Sequence, residues 1–228
     1  MMARRGVIGL TAGTVAMMLA GCGLFNSTAS FRYRLTVEGA HPGTAVYEIL
    51  AEKNNDIVKL PEEKPGESII RGEALAIETP TGPVFLLLQS AKTGGELKGA
   101  VMRALAPGVS LVEEPYSYAV ASRLSGAGNG QAKGELPRAE WPMMVRFRDL
   151  NDPKSVEKVD PDAIGVKRIV LETTSDAMTT GIEKRFPTWF IALYKKGATL
   201  SGDTSHIVST NKLEDNLGPD SFGGVNIK

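Results

Sequence analysis

Residues 31–38, FRYRLTVE, alternate without a break between apolar Phe31, Tyr33, Leu35, Val37 and polar Arg32, Arg34, Thr36, Glu38. Period two over eight residues fits a strand with one face in a core and the other in water, and excludes a helix. The same alternation returns at 141–148, where Met143, Val145 and Phe147 interleave with Met144, Arg146 and Arg148. His41-Pro42-Gly43 is a turn, and 44–50 supplies a returning strand, so the chain opens on a hairpin. A second hairpin is expected from 73–78 through Thr79-Pro80-Thr81-Gly82 to 84–89. Its unbroken apolar run Val84–Leu88 fits a strand buried on both faces. Residues 51–68, rich in charge and holding Pro61, Pro65 and Gly66, read as a surface loop.

One helix stands out, over about 94–106. Thr93 and Glu96 have capping-box spacing; Leu97, Val101 and Leu105 repeat every fourth position, and Pro107-Gly108 stops the run. Residues 109–114 read as a strand, and 116–124 fit a strand or a helix. Asp152-Pro153 starts a short helix or turn over 153–159. The C-terminal third continues with 167–174, 180–186 and 188–196, then a short strand at 198–202. Residues 209–228, poor in apolar side chains and rich in glycine, read as a partly disordered tail. The expected fold class is therefore α+β: a dominantly antiparallel β-sheet with one firm helix, in a single β-rich domain over 31–208.

The chain has one cysteine, Cys22, so no intrachain disulfide can form. Ahead of it, Arg4 and Arg5 precede an uncharged, mostly apolar run from Gly6 to Ala20. A basic start, a run of about 15 residues and a small-residue exit describe a secretory signal peptide. The run falls short of the ~20 residues that span a bilayer. Leu19-Ala20-Gly21-Cys22 resembles the lipobox of bacterial lipoprotein precursors, in which cleavage after Gly21 leaves Cys22 as a lipidated first residue. That resemblance implies a signal peptide at 1–21, a lipidated tether at 22–30 and a membrane partner held through the anchor. With Gly23 rather than aspartate after the cysteine, it implies the periplasmic face of the outer membrane. An extended segment from 23 to 30 reaches at most ~29 Å, so the domain would stay near the membrane.

Several further segments together resemble a family of uncharacterised proteobacterial proteins, often with lipoprotein leaders. They are FRYRLTVEG at 31–39, GEALAIETPTG at 72–82, WPMMVRFRDLNDPKSVEKVDPD at 141–162 and TTGIEKRFPTW at 179–189. This second resemblance implies an envelope location and no catalytic residue.

Twenty-six basic residues balance 26 acidic ones. Removing 1–21 takes Arg4 and Arg5 and no acid, leaving 24 against 26, a net charge of −2. Nucleic acid would require a basic surface, so it is not the expected partner. His41 and His206, the only histidines, belong to no metal-binding or hydrolase motif, and no cofactor is expected. Gly126, Gly128, Gly130 and Lys133 lack the spacing of a phosphate loop. Asp149, Asn151, Asp152, Asp160 and Asp162 begin like a calcium loop, but Pro153 intervenes, and caps and turns account for them. Thr179-Thr180-Gly181 can offer backbone N–H groups to an anion or simply form a turn. Trp141, Trp189 and Phe190 read as core anchors. Two functions stay open: a non-catalytic lipoprotein that binds an envelope protein or component, and a small periplasmic enzyme with a dispersed site.

Overall fold

A computed structural model describes residues 27–53, 66–92, 94–109, 116–205 and 211–223. The leader, Gly21 and Cys22 lie outside the described residues. Among the described residues nine strands form two antiparallel sheets, and the α+β class dominated by sheet holds.

The first sheet is built on the long hairpin of β1 (Ser27–Gly39) and β2 (Gly43–Lys53). It is completed by β3 (Gly66–Arg71), β9 (Val166–Thr173) and the short β6 (Lys133–Glu135), in the order β3-β2-β1-β9-β6. Register puts like with like. Tyr33 faces Tyr47, Leu35 faces Ala45 and Leu171, and Val37 faces Ile169. Because side chains alternate along each strand, one face of β1 carries Phe31, Tyr33, Leu35 and Val37 into the core while the other carries Arg32, Arg34, Thr36 and Glu38.

β4 (Leu75–Thr79), β5 (Gly82–Ser90), β7 (Pro142–Phe147) and β8 (Val156–Lys158) make the second sheet, in the order β4-β5-β7-β8. Its two faces join two different cores. Leu75, Ile77, Val84, Leu86 and Met144 pack with the first sheet. The helices α1 (Lys98–Leu105) and α2 (Tyr116–Leu124) close that core. Phe85, Leu87, Met143 and Val145 point the other way, into a core covered by the C-terminal third. This double burial is why 84–87 carries no polar residue.

The sequence expectations need several corrections. β1 begins at Ser27, so half of the expected 22–30 tether is strand. Residues 51–53 and 66–68, expected in a loop over 51–68, are paired strand, whereas 54–65 lie outside the described residues. The helix expected from 94 begins at Lys98, with Leu97 as N-cap and no side-chain cap. Residues 95–97 instead extend the end of β5: Ser90 N–H donates to Gly95 O at 2.8 Å, and Leu97 N–H to Leu88 O at 3.0 Å. Those bonds hold the backbone extended where the capping box would have turned it. Glu96 pairs with Lys98. Thr93, and 110–115 of the expected 109–114 strand, lie outside the described residues.

α2 settles the ambiguous 116–124 as helix, burying Val120, Ala121 and Leu124. The loop at 125–137 is tied down by Gly130 N–H to Thr173 O at 2.7 Å, and its end is β6. Asp152 caps the short turn at Pro153–Ser155 as expected, accepting from Lys154 N–H. Beyond β9, sheet gives way to helix: a 3-10 turn at Ile182–Arg185, α3 (Trp189–Lys196), and no strand at 198–202.

The largest correction concerns 209–228. Residues 211–223 hold α4 (Leu213–Asn216) and a 3-10 turn at Pro219–Phe222, and they belong to the fold. Phe222 is fully buried with its ring 5.3 Å from Phe186 and 5.7 Å from Phe85, centroid to centroid. The domain therefore does not end at 208. The segment is apolar-poor because few of its described side chains, Leu213, Leu217 and Phe222, pack into this core.

Candidate functional site

After β9 the chain crosses the polar face of the first sheet as a strap, residues 174–181. Thr174 N–H donates to Arg32 O, Arg34 pairs with Glu172 and Asp176, and Thr179 N–H and Oγ1 both bond the backbone of Val46. The strap ends at Gly181, left-handed at φ 103°, which turns two successive N–H groups inward. They meet the Glu73 carboxylate, which accepts from Ile182 N–H at 2.7 Å and from Gly181 N–H. The sequence feature read as an anion-binding turn thus receives an anion from its own chain. Glu73 is 3% exposed, and burial raises its pKa above the usual carboxylate range against the two N–H bonds. Next to it, Ala74 N–H donates to Phe222 O at 2.8 Å, so strap, second sheet and C-terminal segment join at residues 73–74.

The C-terminal segment helps to form a cleft of about 560 Å³. It is lined by Tyr194 and Lys195 at the end of α3, by Asp215, Asn216 and Asp220 of the C-terminal segment, and by Gln89 of β5. Two glycines shape it. Gly197 ends α3 in a left-handed conformation, φ 60°, as helix C-termini commonly require. Gly218 leaves room for its neighbours: a Cβ there would lie 2.5 Å from Asp220 Oδ1 and 3.1 Å from Ala198 O. Leu200 N–H donates to Leu217 O at 2.7 Å and Ser201 N–H to Glu214 O at 2.8 Å, tying residues 200–201 to the C-terminal segment. A second hollow of about 230 Å³ shares Gln89, Asp220 and Ser221 and reaches Arg71 and Glu96.

Ser221 Oγ accepts from Gly218 N–H at 3.2 Å, and no histidine among the described residues lines the cleft. His41 sits in the β1–β2 turn, and His206 lies outside the described residues. One lysine faces two aspartates, so phosphate finds no cationic cradle.

Elsewhere the structure places the candidate residues in supporting roles. Asp149, Asp152 and Asp160 each accept a backbone N–H two residues on, and Arg138 pairs with Asp160 and Asp162. No group of three metal-binding side chains occurs among the described residues. Lys133 pairs with Glu172. Trp141 and Phe190 are buried, and Trp189 is half-buried with its indole N–H on Leu150 O. The expected candidates are thus scattered over the fold, while Glu73 and the cleft residues belong to no motif.

Comparison of the chain with protein-family models, with curated proteins and with solved structures finds no match in any of the three.

Proposed function

We propose that this chain is a membrane-anchored envelope lipoprotein with a non-catalytic binding role, facing the periplasm from the outer membrane. The observation that carries the proposal is Leu19-Ala20-Gly21-Cys22 standing just ahead of a folded domain. Only Gly23 to Asn26 separate Cys22 from the first residue of β1, and five Cα steps span at most ~19 Å. An acylated Cys22 would therefore hold the Ser27–Lys53–Gly66 end of the first sheet against the membrane surface. Each buried methylene of an acyl chain contributes about 0.8 kcal/mol, so two or more chains make release negligible. The binding half of the reading is supported by the cleft itself, whose lining by Gln89, Asp215, Asn216 and Asp220 offers amides and carboxylates that can hydrogen-bond a ligand. An envelope protein or component is the partner class this role calls for, with no nucleic acid and no cofactor.

Metabolic labelling with a palmitate analogue tests the anchor. Wild type is expected to be labelled and to stay in membranes after a salt wash, with Cys22→Ser unlabelled. A labelled Cys22→Ser protein would overturn the anchor. Density-gradient separation tests the destination, and co-migration with the inner membrane would contradict it.

A further inference from the structure

We propose that the cleft between α3 and the 215–221 segment binds a neutral oligosaccharide through its hydroxyl groups. The proposal gives a ligand class to the binding role above and rests on that reading. Its support is the character of the lining. Gln89, Asp215, Asn216 and Asp220 are amides and carboxylates, whose several donor and acceptor positions can serve sugar hydroxyls beside the bonds they already make. Tyr194 adds an amphipathic ring, able to take the C–H face of a sugar while its hydroxyl stays polar.

The groups are held in place before any ligand arrives. Asn216 Nδ2 donates to Lys212 O at 2.6 Å, and Asp220 Oδ1 accepts from Ser221 N–H at 3.0 Å. Preorganised polar groups lose little freedom on binding, which favours a weakly apolar ligand. A volume of about 560 Å³ falls among ordinary ligand sites, and the adjoining 230 Å³ hollow lengthens it past Gln89.

Other ligand classes fit less well. With Arg71 and Glu96 of the hollow included, two cations face three carboxylates, so a polyanion is not attracted. Among the described residues the main cleft is lined by no leucine, isoleucine, valine or phenylalanine, so an acyl chain finds no large aliphatic side chain to pack on there. Extended peptides dock by adding to a sheet edge or by filling apolar pockets. Among the described residues the strand that lines the main cleft is β5, through Gln89, which is already bridged to Glu96.

The test is calorimetric titration of the mature lipidated protein, in a phosphocholine detergent that carries no sugar. The probes are N-acetylglucosamine oligomers, maltohexaose and, as a contrast, an uncharged hexapeptide. Saturable binding of at least one oligosaccharide is expected, weakened about tenfold or more by Asn216→Ala and by Gln89→Ala, on different elements of the lining. Thermal melts confirm that each variant folds, and a variant that does not is replaced in the comparison by the other. Cys22→Ser, remote from the cleft in sequence and untouched in its lining, is expected to bind as wild type. Loss of anchoring therefore shows in fractionation alone, and failure of the ligand class shows in titration alone. No saturable oligosaccharide binding, binding indifferent to folded variants, or binding of the peptide instead would overturn the proposal.

Discussion

The Glu73 carboxylate and the Ile182 backbone N–H meet at 2.7 Å across 109 residues of sequence, in a site from which Glu73 is only 3% exposed. Burial, with Glu183 nearby, holds the Glu73 pKa above its ordinary value, so the folded state binds this proton more tightly than the unfolded chain. Stability must then fall as pH rises from the ordinary glutamate range through the raised value, and stay level beyond it. Glu73→Gln keeps an acceptor for the two N–H groups and removes the charge. We expect the variant to be the more stable at pH 7.5, with the gap narrowing as pH falls toward 4. Melting curves across that range decide it; a gap independent of pH would mean that Glu73 is not charged at cost in the fold.

Phe222 seals the second core from the C-terminal side, within 6.0 Å of four other phenylalanine rings, centroid to centroid. Truncating a buried phenylalanine to alanine costs about 3–5 kcal/mol. Phe222→Ala is therefore expected to lower the denaturant midpoint strongly, and deletion of 209–228 to lower it at least as much. A deletion that melts like wild type would show the segment to be dispensable.

The expected tail failed for a physical reason that also marks the limit of what this sequence shows. Alternation in β1 and β7 reports burial directly, since each second residue faces a core, and both strands are legible at first reading. The Phe85 strand was legible as doubly buried, but nothing in its residues said what covered the far side. That cover is made of short turns at Ile182–Arg185 and Pro219–Phe222, too brief to show a period and each contributing one or two side chains. Likewise the capping spacing at Thr93 and Glu96 was a sound local preference overridden by the tertiary pairing of Gly95 and Leu97 with β5. The cleft was illegible altogether. Gln89 and Asn216 stand 127 positions apart and belong to no motif, so only folding brings them to one cavity.

Tyr33 carries a hydroxyl with no hydrogen-bond partner among the described residues in a wholly buried position, its ring 5.4 Å from Tyr47. A buried polar group left unmade costs about 1–3 kcal/mol. Tyr33→Phe removes the hydroxyl and keeps the ring, so stability is expected to rise by about 1 kcal/mol. Burial also pushes both phenols up, Tyr33 with a contribution from Tyr47. Neither should ionise in the folded state near pH 10, and stability falls as pH rises above the ordinary tyrosine value. Denaturant titration at pH 7 checks the first point; a loss beyond about 1 kcal/mol would mean the hydroxyl has a partner in solution.

Gly72 and Gly82 separate two reasons a glycine can be required. Both hold positive φ, 137° and 108°, where any other residue is strained by about 1–3 kcal/mol. Around Gly82, in the β4–β5 turn, an added Cβ meets nothing within 4 Å. At Gly72 the same atom would lie 2.5 Å from Cδ1 of the buried Tyr47 ring, which cannot swing away because Tyr33 packs beside it. Gly82→Ala is therefore expected to cost only the backbone strain. Gly72→Ala adds overpacking, typically another 1–3 kcal/mol, and shifts the junction at Glu73 and Ala74. Chemical denaturation of the two variants side by side should place Gly72→Ala lower by at least 1 kcal/mol. Equal losses would show that Tyr47 yields, and that backbone conformation alone requires glycine at both positions.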